Sequence, residues 1–349
     1  MNTESNYQAR PVYPPAETPI KQRSDSTPGC ARFGKITRVA LLLFLAAFPL
    51  QLASQTKLRV VTTNVNLAHL AERIGGEHVQ VHSLMPPDVD LHYQDARPDY
   101  IIAVNRADLF IENGLELEVG WAPLIQKRSR NAAIQRGKPG YCDASIGIHV
   151  LEKPTEQISR KQGDVHAFGN PHYLLDPVNA AIAARNIGRS LIRLDPANAD
   201  YYKKSYQELA LSLRDLITTE IRKSANLREL PVAVYHKEFT YVANRLGFKE
   251  AASIEEIPGI PPSAAWLKKV SEQIKQSRIR IILVTPYHRR SYADTVARLS
   301  GAQVLVLPDS VNPAEGINTY EDLIRLIAKK LRDAADVNGA VATRQINRE

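Results

Sequence analysis

The sequence predicts an α/β fold of two lobes, each a mostly parallel sheet flanked by helices. Three observations predict it. Short apolar, β-branched runs alternate with helical periods in both halves, the pattern of parallel strands joined by crossover helices. At 349 residues the chain exceeds what one ordinary core absorbs, so two domains are the natural division. Between the two series of strands lies a long helical period with its own apolar stripe.

In the first half, Leu58–Thr63 (LRVVTT) reads as a buried strand and Asn66–Ile74 as a helix stopped by Gly75-Gly76. Val79–Met85 is a second strand, Pro98–Asn105 a helix, and Asp108–Asn113 a third strand closed by Gly114. From Glu116 to Gly163 the pattern degrades into a basic loop, with a short strand at Ile146–Leu151 as its one regular element. Asp176-Pro177 then opens a helix to Leu194, since Asp caps free N–H groups and Pro at the first helical position costs no hydrogen bond. Asp195-Pro196 repeats the device and opens a longer helix to about Ser224, striped by Tyr202, Tyr206, Leu209, Leu213, Leu216 or Ile217, and Glu220. About 28 residues at 1.5 Å each span roughly 40 Å, enough to run along both lobes; an ordinary packed helix fits the same periodicity.

The second half repeats the theme. Pro231–Tyr235 is a strand, Lys237–Leu246 a helix ending at Gly247, and Ser263 caps a helix to Gln276. Ile279–Val284 (IRIILV) is the clearest buried strand, followed by a helix at Tyr292–Leu299, a strand at Gln303–Leu307 and a last helix at Thr319–Leu331. After Ala334 the tail is polar and expected to fray.

The net charge of +8 is inflated by the N-terminus, since three of those charges precede residue 54. The remaining basic residues are scattered over helices without interleaved aromatics, which does not support a nucleic-acid interface. Val39–Ala53 is the only long apolar run; at 15 residues it is short for a membrane span, which needs about 20. Basic residues before it and small residues after it read as a secretory signal, with an uncleaved anchor as the alternative. The hydrophilic residues in front suggest a start codon chosen too far upstream. Cys30 precedes the apolar run, so it is not the acylated cysteine of a lipoprotein. Cleavage would leave Cys142 alone, which excludes both an internal disulfide and a cysteine-rich zinc site.

In open α/β sheets, ligands bind beyond the carboxyl ends of the strands. His92 lies in the loop after strand 79–85, His172 in its own loop between Pro171 and Pro177, His236 directly after strand 231–235, and Asp309 after strand 303–307. Three imidazoles and a carboxylate, two from each half, suit a borderline divalent ion such as zinc. The other histidines fit less well. His78 and His82 read as one polar strand face and His69 as a surface residue of a helix. His149, His166 and His288 are loop residues; His166 and His288 are placed near the site, supporting it or facing solvent rather than binding the ion. No His-Glu-x-x-His, phosphate-binding glycine loop or Gly-x-Ser-x-Gly is present.

From Leu58 to Leu331 the chain resembles the TroA/ZnuA-like metal-binding proteins of bacterial zinc and manganese ABC transporters. The resemblance is carried by Asp90-Leu91-His92-Tyr93, Ala107–Phe110 with Asn113–Glu118, Asn170-Pro171-His172-Tyr173 with Asp176-Pro177, His236 before a helix ending Leu246-Gly247, and Asp309-Ser310. It implies His92, His172, His236 and Asp309 as metal ligands, a cleft site, and a long helix joining the lobes. The implied divisions are an extension and signal over 1–56, an N-terminal lobe over 57–195, a linking helix over 196–228, a C-terminal lobe over 229–335 and a tail over 336–349. The implied protein is a monomeric, exported, non-enzymatic zinc carrier (manganese being the alternative ion) that serves an ABC membrane permease outside the cytoplasm. Two features depart from the family: Leu91 stands where Pro usually precedes the first histidine, and Gln126–Lys161 is basic rather than rich in His and acids. A surface adhesin is the second reading. A zinc hydrolase is the third, disfavoured because four protein ligands close the site and no general base is offered.

Overall fold

The computed structural model describes residues 56–155, 163 and 166–346. The apolar run 39–53, Cys30 and the expected signal lie outside them. Among the described residues no helix is long and apolar enough to cross a membrane.

The first half forms β1 (Leu58–Thr62), α1 (Val65–Gly75), β2 (Val79–Ser83), α2 (Pro98–Asn105), β3 (Leu109–Glu112), α3 (Ala122–Arg128), β4 (Tyr141–Asp143) and α4 (Pro177–Leu194). After α5 (Ala199–Lys223), the second half forms β5 (Pro231–Val234), α6 (Thr240–Leu246), β6 (Lys249–Ser253), α7 (Ala264–Gln276), β7 (Ile281–Val284), α8 (Arg290–Ser300), β8 (Gln303–Val306) and α9 (Tyr320–Ile346). The two sheets have matching orders, β2-β1-β3-β4 and β6-β5-β7-β8, and every pairing is parallel. The predicted α/β class with two parallel sheets is therefore the observed one.

Strand burial explains which elements the sequence reveals. β3 and β7 are buried along their whole length, as a parallel strand covered on both faces must be. β6 (KEAAS) lies at a sheet edge without fully buried residues, and β4 is three residues long. Neither carries an apolar run, so periodicity passes over both. The strand expected at Ile146–Leu151 is absent: the chain turns there, and β4 is the fourth strand instead. The tail expected to fray is also corrected, since α9 continues to Ile346.

Cap chemistry behaves as predicted at α4 and α7, where Asp176 and Ser263 accept from the Val178 and Trp266 N–H groups, and Asn64 caps α1 in the same way by accepting from Leu67. Asp195 departs from it. Its carboxylate takes the Tyr202 hydroxyl and the Asn198 amide, both at 2.7 Å, and Pro196–Asn198 becomes a 3-10 turn before α5. α5 buries Tyr202, Leu209, Leu213, Leu216, Ile217 and Glu220 of the predicted stripe and leaves its Tyr206 half-buried. It packs on α4 where Gly188 meets Tyr206; a Cβ there would sit 2.4 Å from the Tyr206 ring.

The halves are stitched together by side chains. Asn66 of α1 donates to the Asp309 carbonyl at 2.8 Å and accepts from the Val311 N–H at 2.9 Å. Arg245 of α6 reaches Asp176, the cap of α4, at 3.1 Å. Tyr241, Val311, Tyr320 and Ile324 of the second half complete the apolar core around α1, α4 and α5.

Candidate metal centre

Three of the four predicted residues meet. The ring centroids of His92, His172 and His236 form a near-equilateral triangle, separated by 5.2, 5.4 and 5.4 Å. One ligand nitrogen from each lies within 4.8 Å of the others. In a tetrahedral zinc shell such nitrogens stand about 3.3 Å apart, so a modest contraction around an ion closes the triangle.

Each histidine is aimed by its own local structure. His92 follows β2 in a loop pinned by Trp121, whose indole N–H donates to the Leu91 carbonyl at 2.8 Å. Asp90 Oδ1 accepts from the His92 backbone N–H at 2.9 Å and pairs with its Nδ1 at 2.7 Å. His236 lies two residues beyond the end of β5, and its Nδ1 pairs with Glu255 Oε2 at 2.8 Å. A carboxylate at Nδ1 holds a proton there and leaves Nε2 as the nitrogen an ion would take, the usual arrangement behind a metal-binding imidazole.

His172 is positioned from the backbone. Asn170 Oδ1 accepts the His172 N–H at 2.9 Å, while its Nδ2 donates to the Lys237 carbonyl at 2.8 Å, tying the His172 loop to the residue after His236. Behind it, buried Glu118 accepts the Thr63 hydroxyl and the Asn113 and Gly114 N–H groups. Asn113 in turn donates to the Pro171 carbonyl at 3.0 Å and accepts the Tyr173 hydroxyl at 2.7 Å. The loop after β3 thus sets the height of His172. A 3-10 turn, Tyr173–Leu175, separates His172 from α4, so the histidine stands one turn away from the helix mouth. Its Nε2 is buried without a hydrogen-bond partner. Nitrogens in that condition are costly unless something binds them.

Asp309 sits apart from the triangle. Its carboxylate accepts the Tyr287 hydroxyl at 3.1 Å, and its side chain lines a cavity of about 50 Å³ shared with His172. Burial and the Glu238 charge push its pKa up to about 7, against the Tyr287 hydrogen bond. Burial also disfavours the imidazolium of His236, but the charges of Glu238 and Glu255 and the Glu255 hydrogen bond outweigh it and lift its pKa to about 9. His172, buried among other imidazoles, is held well below the usual range.

His166 touches the site directly: its Nε2 lies 3.2 Å from that of His92. His288 stacks on Tyr235 and pairs with Glu238, a buried carboxylate next to His236. His82 is exposed on β2, and His78 packs against Tyr201 and Tyr202, away from any ligand group among the described residues. His69, expected on the surface, is half-buried with Nε2 unpartnered. Sequence reasoning did not assign Asp90 and Glu255. Asp90 carried a signal, a carboxylate two residues before a candidate ligand. Glu255, 19 residues after His236, carried none.

A two-lobed α/β chain that converges imidazoles at the ends of its strands has the build of a substrate-binding protein for a small ion. The comparisons with known proteins give the family. Residues 60–334 match the family model of the zinc-uptake complex component A, periplasmic (ZnuA). The chain belongs to this family, the metal-binding substrate-binding proteins of ABC transporters, which are carriers rather than enzymes. The high-affinity zinc uptake system protein ZnuA of Bacillus subtilis is 30% identical over 271 residues, covering 76% of this chain and 81% of that one. The manganese ABC transporter substrate-binding lipoprotein PsaA of Streptococcus pneumoniae is 27% identical over 289 residues, covering 80% and 90%. A manganese-bound periplasmic metal-binding protein from Candidatus Liberibacter asiaticus shares the fold, with a TM-score of 0.65 at 23% identity over 80% of this chain and all of that one.

Proposed function

We propose that this chain is an exported carrier that binds zinc between its two halves and delivers it to the membrane permease of an ABC transporter. The observation that carries the reading is the triangle of His92, His172 and His236, with two Nδ1 atoms held by carboxylates and the third Nε2 left without a partner. In this reading the three imidazoles replace part of the ion's hydration shell. Asp90 and Glu255 keep two of them in the binding tautomer and balance the ion's charge from behind. The fourth position is open to Asp309 or to His166, which line separate cavities beside His172.

Zinc is favoured over manganese because three nitrogens suit a borderline ion, whereas manganese prefers oxygen. The relatives include both zinc and manganese proteins, so the ligand set of this chain has to decide. The cavities beside the triangle, about 50, 180 and 200 Å³, fall below the roughly 300–1,000 Å³ of pockets for organic solutes, which argues for a bare ion as cargo. Delivery reverses the binding: docking on the permease separates the halves and removes ligands from the ion. The periplasmic family and the expected signal at 39–53 support a location outside the cytoplasm.

The test is zinc titration of the full chain followed by thermal unfolding. The ion binds the folded form, so the melting temperature rises with zinc and His172→Ala loses stoichiometric metal. Unchanged melting with zinc, together with a His172→Ala variant that keeps its metal, overturns the reading.

A further inference from the structure

We propose that His166 is itself a ligand of the ion, filling the fourth position as a fourth imidazole while Asp309 stays outside the shell. This rests on the reading above that His92, His172 and His236 bind a divalent cation.

The first observation is the contact between His166 and His92. Their Nε2 atoms are 3.2 Å apart, and the rings stack with centroids 5.2 Å apart. His92 Nδ1 is engaged by Asp90, so His92 Nε2 offers a lone pair that accepts from a His166 Nε2–H. An ion that takes this lone pair breaks that bond and leaves His166 Nε2 beside it. Moving the proton from Nε2 to Nδ1 of His166 turns the same atom into a donor to the metal. Adjacent nitrogens in a tetrahedral zinc shell are about 3.3 Å apart, close to the spacing already present. His166 is not one of the three histidines within 4.8 Å of one another, so its ring swings toward His172 and His236 as the ion enters.

The second observation is where each contender stands. His166 lines one cavity together with both His172 and His236, whereas the cavity lined by Asp309 touches His172 alone among the three. Asp309 is also committed elsewhere, accepting the Tyr287 hydroxyl while its backbone carbonyl is held by Asn66.

The third observation is charge. Four imidazoles bring none, so a buried divalent ion needs two negative charges nearby. Asp90 and Glu255, paired to the Nδ1 atoms of His92 and His236, supply them without an anionic ligand. An all-nitrogen shell sharpens the preference for zinc over manganese.

The experiment uses the full chain with ¹⁵N-labelled histidine, loaded with ¹¹³Cd²⁺, and counts the ring nitrogens split by coupling to the metal. Four are expected in the wild type, three in His166→Ala and His166→Gln, and four in Asp309→Asn. Chelator competition with zinc should show at least about tenfold weaker binding in both His166 variants, with circular dichroism verifying that they fold. Three coupled nitrogens in the wild type, with weakened zinc binding in Asp309→Asn but not in the His166 variants, overturn this inference and leave the carrier reading standing. No coupled nitrogen and no retained zinc in the wild type overturn the carrier reading itself.

Discussion

Glu255 Oε2 lies 2.8 Å from Nδ1 of His236 and also accepts the Gly259 N–H at 3.0 Å, so the carboxylate that fixes the ligand's tautomer is itself fixed by the backbone. Removing its charge leaves the fold in place and loosens the aim of the imidazole. Glu255→Gln is expected to weaken zinc binding about 10–100-fold with little change in secondary structure, the usual cost of losing a carboxylate behind a metal-binding histidine. Asp90→Asn, acting through His92, should behave alike. Chelator competition reads both; affinity unchanged in both variants removes the carboxylates from the account of the site.

Bound zinc should stabilise the folded chain by mass action. At a free concentration 100 times Kd the gain is about 2.7 kcal/mol, and it disappears on adding a chelator. His172→Ala should abolish the gain while removing a buried, unpartnered nitrogen from the metal-free protein. Calorimetry with and without zinc measures both effects, and an equal zinc-dependent rise in wild type and variant contradicts the assignment of His172.

Glu118 should cost the metal-free protein stability as pH rises from about 5 to 8. Burial, and then the nearby Glu112 charge, raise its pKa to about 8 in the folded state, against the Thr63, Asn113 and Gly114 hydrogen bonds. An unfolded glutamate releases its proton near 4.3, so between these values the folded state holds more protons, and raising the pH favours unfolding. Glu118→Gln should flatten this slope. Denaturant titrations between pH 5 and 8 on the two proteins compare the slopes, and parallel profiles contradict the assignment.

Gly188→Ala should destabilise the packing of α4 on α5 by about 1–3 kcal/mol, because its Cβ has no room beside the Tyr206 ring. Tyr206→Ala in the same chain should recover part of the loss, and a double-mutant cycle in urea measures the coupling. Additive effects would show that the helices separate without strain.

Much of the architecture was legible because buried parallel strands carry their own signal. The continuous apolar runs at Leu109–Ile111 and Ile281–Val284 need no partner to be recognised, and the cap residues Asp176 and Ser263 act on atoms within a few positions of themselves. The strand-end rule likewise selected His92, His172 and His236. Edge strand β6 and three-residue β4 escaped, since their pairing is decided by the neighbouring strand rather than by their own side chains.

By itself, then, the sequence determined the α/β class, the order of the principal strands and helices and the histidines worth testing, all of which depend on local pattern. Only the tertiary structure decided what surrounds them. Asp90 and Glu255 stand behind two imidazoles, His166 stands against His92, and Asp309 turns to Tyr287. These relations join residues up to 74 positions apart. Apart from Asp90, two residues from its histidine, they join separate loops: parallel pairing sets the ends of β5 and β6, and of β7 and β8, side by side, at distances that no local spacing encodes.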